Sequence, residues 1–180
     1  GIEIDRKAAD LCIENLKINH MKATIFNSDL SDKSSKINKI SFDHVFMNPP
    51  YFKRNSVKKS PTPSSRQAKI ETVLLSEWFS VAKKRCKPKG KVTIIQRIER
   101  LPEIIKCLNG YFGQITVQPI SSFKDTTPKT VIVQATKSSS GAFKLLAPKI
   151  VHKRNLLTGK VLYEDEFKKI LGSGHPLRLY

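Results

Sequence analysis

Cysteine is scarce in this 180-residue chain: there are three, Cys12, Cys86 and Cys107, and no two share a C-x-x-C spacing. An odd number of distant cysteines excludes a disulfide framework and points to a reducing compartment, the cytoplasm, with buried thiols. The four histidines, His20, His44, His152 and His175, are equally scattered, so no ligand set with metal-binding spacing stands out and no metal is expected. No apolar run approaches the ~20 residues of a membrane-spanning helix, which sets membrane insertion aside. No secretory leader is expected, because the chain opens directly in Gly1-Ile2-Glu3-Ile4-Asp5. That opening has no Met, begins on an apolar strand end and reads as the middle of a protein. No internal repeat is visible, and a monomer is the expected state.

Acidic residues are the other shortage. Fifteen Asp and Glu stand against 33 Lys and Arg, a formal net charge of +18. Such an imbalance favours a polyanionic partner, because each phosphate neutralised releases a counterion. The alternative is a solvated cationic surface with no partner at all. The length fits one domain with a real core.

Short apolar runs alternate with helical periodicity, the pattern of an α/β fold. A strand end at 1–4 leads into a helix capped by Asp5, with Ala9, Cys12, Ile13 and Leu16 forming its buried stripe. A strand is expected at 23–26, then Ser28-Asp29-Leu30 and a Ser/Lys-rich loop. The mostly apolar run 42–47 reads as a parallel strand and stops at Asn48-Pro49-Pro50-Tyr51. Residues 52–66 read as a long mobile loop rich in Lys, Arg, Ser and Pro. A helix with Ile70, Val73, Leu74, Trp78 and Val81 on one face should end before Pro88-Lys89-Gly90. A strand at 91–96 and a helix carrying Leu101, Ile104, Ile105 and Leu108 follow. Two alternating runs, 114–120 and 130–136, predict an antiparallel pair at the sheet edge. Residues 143–151 suggest another strand or an extended arm, and 164–171 a short helix.

Asn48-Pro49-Pro50-Tyr51 is the informative element, since ligands of open α/β sheets bind beyond the carboxyl ends of strands. An adenine or amide nitrogen is a poor nucleophile because its lone pair is delocalised. Two acceptors aimed at its N–H hydrogens hold the amine and help localise that pair. Asn48 offers a side-chain carbonyl and Pro49 a backbone one. The proline rings fix φ near −65° and keep Asn48 extended, so both acceptors are pre-positioned. Tyr51 can stack on a planar substrate. The bland alternative is a rigid strand-to-loop turn. Two further features occur in order around it. Glu3, at a strand end, can accept from both hydroxyls of a ribose, while Asp5 serves the helix cap. Asp29 can accept from an adenine amine with Leu30 against the ring, although Ser-Asp is also an ordinary loop pair.

With these motifs in this order, the chain resembles the class I S-adenosylmethionine-dependent N-methyltransferases that carry Asn-Pro-Pro-Tyr. Within these, it resembles the bacterial tRNA(Val) N6-adenine methyltransferases of the methyltransferase small-domain group. The further likeness lies in Phe52, Lys89-Gly90-Lys91-Val92-Thr93-Ile94-Ile95, Arg97-Ile98-Glu99-Arg100-Leu101-Pro102 and Val131-Ile132-Val133-Gln134-Ala135. It spans nearly the whole chain. The resemblance implies a Rossmann-like sheet, mostly parallel with an antiparallel C-terminal strand pair, and S-adenosylmethionine as cofactor. It further implies that Glu3 binds the cofactor ribose, that Ile4 and Leu30 sandwich its adenine, and that Asp29 meets the adenine amine. Asn48 borders the cofactor, and Asn48, Pro49, Pro50 and Tyr51 form the catalytic motif that holds the target nitrogen. The implied substrate is an adenine N6 amine in structured RNA, tRNA first, which in that family lies beside the anticodon of a valine tRNA.

One departure is plain. The family's first strand and Gly-rich loop, which cradle the methionine end of the cofactor, would precede Gly1. Residues 1–180 are therefore expected to be a single, N-terminally incomplete methyltransferase domain whose sheet is divided where that strand would lie.

From Lys53 to Lys91 the chain carries twelve basic residues against Glu71 and Glu77, an excess of +10. Phe52, Lys53, Arg54, Lys58, Lys59 and Arg66 of the 52–66 loop are the candidate RNA contacts, mixing phosphate ligands with an aromatic. The Lys83–Lys91 cluster reads either as a solvated helix end, favoured by the dipole, or as more of that surface. Two other functions stay open: a protein glutamine N5-methyltransferase using the same motif on an amide, and a non-catalytic RNA-binding remnant. A DNA adenine methyltransferase is a third, without a separate base-reading segment.

Overall fold

Strand β1 (Ile2–Glu3) runs into helix α1 (Arg6–Ile18) through Asp5. Asp5 Oδ1 accepts from the backbone N–H groups of Lys7 (2.8 Å) and Ala8 (3.1 Å), two donors that a first helical turn leaves unpaired. The chain returns in β2 (Phe26–Asn27), parallel to β1 with Ile2 opposite Phe26. The computed structural model describes residues 1–32, 36–53, 70–71, 73–155 and 157–179. Of the stripe expected on α1, Ala9 is buried and Leu16 half-buried, but Cys12 and Ile13 are exposed. Two short strands offer too little apolar surface to cover a 13-residue helix.

Next come β3 (Phe42–Met47), β4 (Phe52–Lys53), β5 (Ile70–Glu71), helix α2 (Leu75–Arg85) and β6 (Cys86–Arg97). Helix α3 (Leu101–Leu108) leads to β7 (Phe112–Ser121) and β8 (Thr130–Lys137). Short strands β9 (Lys144–Leu145), β10 (Lys149–Ile150), β11 (His152–Arg154) and β12 (Val161–Tyr163) precede helix α4 (Asp165–Ser173). The main sheet has the order β10-β7-β8-β6-β3, with β9 also beside β7. β3 is parallel to β6, β8 is antiparallel to both β6 and β7, and β10 is parallel to β7. The β1–β2 pair forms a separate sheet. The antiparallel pair is not at the margin, because β9 and β10 extend the sheet beyond β7.

Two boundaries differ from the sequence reading. Ile70 is not helical: its backbone pairs with Phe52 across the parallel β4–β5 ladder, and α2 starts only after the extended Leu74. The helix ends at Arg85, before Pro88-Lys89-Gly90 as expected, but β6 starts at Cys86 instead of 91, so the triplet forms an irregularity within that strand opposite β3. A Cβ on Gly90 would lie 2.9 Å from the carbonyl oxygens of Asp43 and Lys87 and from Cys86 Sγ, so glycine is required there. The Lys87 ammonium closes the same place, 2.9 Å from Asp43 Oδ1. The thiols also differ from expectation. Cys86 is buried, with its pKa raised by burial, but Cys107 is half-buried and Cys12 exposed.

The core lies on one face of the main sheet. Strand β8 buries alternate residues Val131, Val133 and Ala135, as the period of two requires. Their cross-strand partners Val92, Ile94 and Val117 share that face with Met47. Leu75, Phe79 and Ala82 of α2 and Ile104 and Leu108 of α3 complete the cluster. Among the described residues no helix is long and apolar enough to cross a membrane, and no three His, Cys, Asp or Glu side chains converge as metal ligands.

The opposite face carries Phe46, 66% exposed, and a polar chain across three strands. Gln134 Nε2 donates to Thr93 Oγ1 at 3.0 Å, and Thr93 Oγ1 lies 2.7 Å from His44 Nε2. Thr93 can thus give its hydroxyl hydrogen to a neutral imidazole. Desolvation, and then the nearby Lys91 charge, lower the pKa of His44 from its ordinary 6.5. A depressed histidine pKa adds stability above the unfolded value, and that stability is lost as the pH falls, because the unfolded chain then binds more protons. The urea midpoint should therefore drop between about pH 7.5 and about pH 5.5, and His44→Gln should drop less over that interval. Equal losses in both proteins would remove His44 as the cause.

Candidate active site at the carboxyl edge

The first cluster forms beyond β1 and β2. Asn27 Nδ2 donates to the backbone oxygens of Glu3 (2.9 Å) and Ile4 (3.1 Å), and Ser28 N donates to Glu3 O at 3.1 Å. These bonds bring Glu3 and Ile4 against the turn that carries Asp29 and Leu30. Glu3 Oε1 accepts from Asp5 N at 2.9 Å, so that oxygen is held while Oε2 retains its acceptor capacity. Asp29 Oδ1 accepts from Ser31 Oγ at 2.6 Å and from Ser31 N at 2.7 Å. The hydroxyl bond first, and the backbone bond with it, lower the Asp29 pKa below its ordinary 3.8. Ile4 is 64% exposed, an apolar surface beside two fixed carboxylates. The donor-hungry carboxylates and the open aliphatic side chain fit a nucleoside: a diol and an amine to donate, and a flat ring to cover.

The second cluster forms beyond β3. Parallel pairing sets Met47 opposite Ile94, and the chain then leaves the ladder at Asn48. Pro49 is fully buried, whereas Asn48 is exposed and Tyr51 is 36% exposed. Beneath the turn lies Gln96, a fully buried amide two residues beyond Ile94. Its Nε2 donates to Pro50 O at 3.1 Å and to Pro49 O at 3.3 Å, while its Oε1 accepts from Arg97 N at 2.8 Å. One side chain therefore binds the two consecutive carbonyls of the Pro-Pro unit to the end of the neighbouring strand. Just beyond it Arg97 pairs with Glu99 at 2.8 Å, and that bond raises the arginine pKa and lowers the carboxylate's.

Residues 1–123 match the methyltransferase small domain family. The chain belongs to that family. Its fold is the class I methyltransferase fold, and S-adenosylmethionine is the cofactor of that class. A tRNA1(Val) (adenine(37)-N6)-methyltransferase of Shewanella frigidimarina is 29% identical over 117 residues, which cover 62% of this chain and 46% of that enzyme. The chain thus spans about half the length of this curated relative. A solved structure from Agrobacterium tumefaciens, described as a predicted O-methyltransferase, superposes with a TM-score of 0.69 at 18% identity, covering 95% of this chain and 75% of the other. A tRNA methyltransferase of Aquifex aeolicus reaches a TM-score of 0.51 at 13% identity over 77% and 52% of the two chains. At these identities the two structures speak for the fold alone.

In this member of the small-domain family the cofactor and catalytic candidates read from sequence fall into the two clusters just described, which belong to different sheets. Phe52 and Lys53 supply backbone to β4, while Arg54, Lys58, Lys59 and Arg66, and with them most of the 52–66 loop, lie outside the described residues. The Lys83–Lys91 cluster is largely engaged within the fold. The Lys83 ammonium sits 3.0 Å from the Tyr111 ring centroid, Lys87 pairs with Asp43, and Lys89 donates to Ser138 O. Gln96 is the residue that sequence reasoning missed. Its signal was present: alternation puts Val92, Ile94 and Gln96 on one buried face, and a buried amide needs partners.

Replacing Gln96 with Leu leaves a backbone N–H and two carbonyls without their amide partner, at a cost of about 1–3 kcal/mol. Denaturant titration of Gln96→Leu should show that loss, while Gln96→Glu, which keeps the acceptor to Arg97 N, should lose less only at acid pH, where it carries a proton to donate. A variant as stable as the parent would show that the clamp contributes nothing.

Proposed function

We propose that the chain is a methyltransferase domain acting on the exocyclic N6 amine of an adenine in structured RNA, with tRNA as the first candidate. The observation that carries this reading is the Asn48-Pro49-Pro50-Tyr51 turn. It presents an exposed amide and a half-open aromatic ring at a strand's carboxyl end, over carbonyls held by a buried glutamine. The matching tRNA adenine methyltransferase and the +18 charge support RNA over a protein amide. Residues 1–180 are read as one domain, with 52–66 as its substrate loop.

The chain's own part is positioning. Asn48 Oδ1 accepts one hydrogen of the target amine. Pro49 O spends one lone pair on Gln96 and keeps the other for the second hydrogen. Both acceptors draw density toward the nitrogen without full deprotonation, because methylation itself acidifies the amine. Tyr51 stacks on the extruded base, a contact worth about 1–3 kcal/mol. Glu3 and Asp29 hold the ribose and adenine of the cofactor, with Ile4 and Leu30 against the ring. S-adenosylmethionine, when bound, supplies an electrophilic methyl group. No step requires a strong general base; orientation and electrostatics provide the acceleration.

Transfer of labelled methyl groups from S-adenosylmethionine to bulk tRNA, against a glutamine-bearing release factor, tests the substrate class. Label is expected in tRNA as N6-methyladenine; label in protein alone would sink the RNA reading. Asn48→Ala should abolish transfer while calorimetric affinity for S-adenosylmethionine changes little. Full turnover by Asn48→Ala would take Asn48 out of the mechanism. Glu3→Gln should do the reverse, weakening cofactor affinity by roughly tenfold. Unchanged affinity would move the ribose site elsewhere.

A further inference from the structure

Beyond residue 123 the family match ends, yet the chain continues along the same edge of the sheet. β10 lies parallel to β7 with Ile150 opposite Ser121, and the pairing runs on past the strand ends: Val151 N donates to Ser121 O and His152 N to Ser122 O, both at 2.9 Å. This extension places His152 beside Phe123, with ring centroids 5.7 Å apart. The β11–β12 hairpin then sets Tyr163 directly opposite His152, with centroids at 5.0 Å. The Arg154 guanidinium stands over the Phe123 ring at 5.0 Å. Three rings, tilted by 41° and 30° to one another, and a guanidinium thus form one continuous row, and Tyr163 at its end is 47% exposed.

A cross-strand aromatic pair can serve the hairpin alone. Two observations go further. The acids of the α4 first turn are already engaged: Glu166 pairs with Lys149, and Glu164 and Asp165 pair with Lys153. Arg154 makes no ion pair among the described residues. Residues 124–180 carry eleven basic side chains against four acidic ones, an excess of +7. Rings in a row beside uncompensated cations are what unpaired nucleotides use, with the base on a ring face and the phosphate on the charge.

The position also fits. β3, β6, β7 and β10 are mutually parallel through the sheet, so Phe123 and the hairpin lie beyond the same carboxyl edge as Asn48. Three to four strand spacings separate them, about 14–19 Å at ~4.8 Å each. That is roughly four to six nucleotides at the ~3.4 Å rise of a stacked strand.

We infer that Phe123, His152, Tyr163 and Arg154 form a stacking site for an unpaired nucleotide of the RNA substrate, several nucleotides from the one presented to Asn48. The inference rests on the RNA reading above. Fluorescence anisotropy with labelled bulk tRNA and with a labelled unstructured oligouridylate tests it on the full chain. Tyr163→Leu, which keeps apolar cross-strand packing, should weaken binding of both probes roughly tenfold. Tyr163→Trp should retain it, and the thermal midpoint and S-adenosylmethionine affinity of both should match the parent. Arg154→Gln, which leaves the hairpin pairing untouched, should weaken binding and flatten its salt dependence, so the test survives if Tyr163→Leu misfolds. Parent-like binding by Arg154→Gln and by a folded Tyr163→Leu overturns the stacking site while the RNA reading stands. A parent chain that binds neither probe overturns both.

Discussion

Met47 lies opposite Ile94 in a parallel ladder, and the arrangement of the candidate active site follows from that register. It ends β3 two residues before the end of the ordered core face of β6, so Gln96 comes to rest under the Pro49–Pro50 carbonyls instead of beside them. A slip of one residue would turn Gln96 to the opposite face and leave the buried carbonyls without their donor. The register is in turn held by the irregularity at Pro88-Lys89-Gly90. There, a missing Cβ lets the backbone approach Asp43 closely, and the Lys87–Asp43 pair closes over it. A rigid turn thus depends on a glycine at the other end of the strand.

The cationic excess divides into two kinds of charge. Some of it builds the fold. The Lys137 ammonium donates to Lys83 O and Cys86 O, both at 2.6 Å, and caps the carboxyl end of α2, where the helix dipole favours a positive group. Lys83, Lys87 and Lys89 are likewise committed to a ring, a carboxylate and a carbonyl. The net charge read from composition therefore overstates what a polyanion can meet on this part of the surface. What remains for a partner must be sought where cations lack acids, and the Arg154 side of the hairpin is such a place.

The fold class and the antiparallel pairing of β7 with β8 could be read from the sequence because β6 and β8 carry clear apolar periods. The start of the α2 helix could not. Ile70 sits in phase with Trp78, but the Phe52 backbone claims it across the β4–β5 ladder, and a pairing partner 18 residues away leaves no local trace. Pro88-Lys89-Gly90 marked the end of α2 correctly, but such a triplet does not say that the next strand has already begun and bulges there. At the site, Asn48 and its neighbours were legible because the motif is contiguous. Gln96 was not, since its role exists only once two strands are aligned. The hairpin's row of rings was out of reach altogether, because Phe123, His152 and Tyr163 are joined by β10 pairing that two-residue strands do not announce.

The division between the β1–β2 sheet and the main sheet bears on how the site would work. On the proposed reading, the cofactor nucleoside rests on the first and the target amine on the second, and no shared ladder of backbone bonds fixes the two together. A ligand that touches both sides then contributes to their mutual placement as well as to chemistry, and its binding energy appears as stability. At a given affinity the stability gained is the same as in a continuous sheet; what differs is that the ligand, and no backbone ladder, joins the two parts. Substitutions at Glu3 and Asp29 weaken the first sheet's hold on a bridging ligand and those in the Asn48 turn weaken the second's, so either group lowers ligand-induced stability only as far as it lowers affinity.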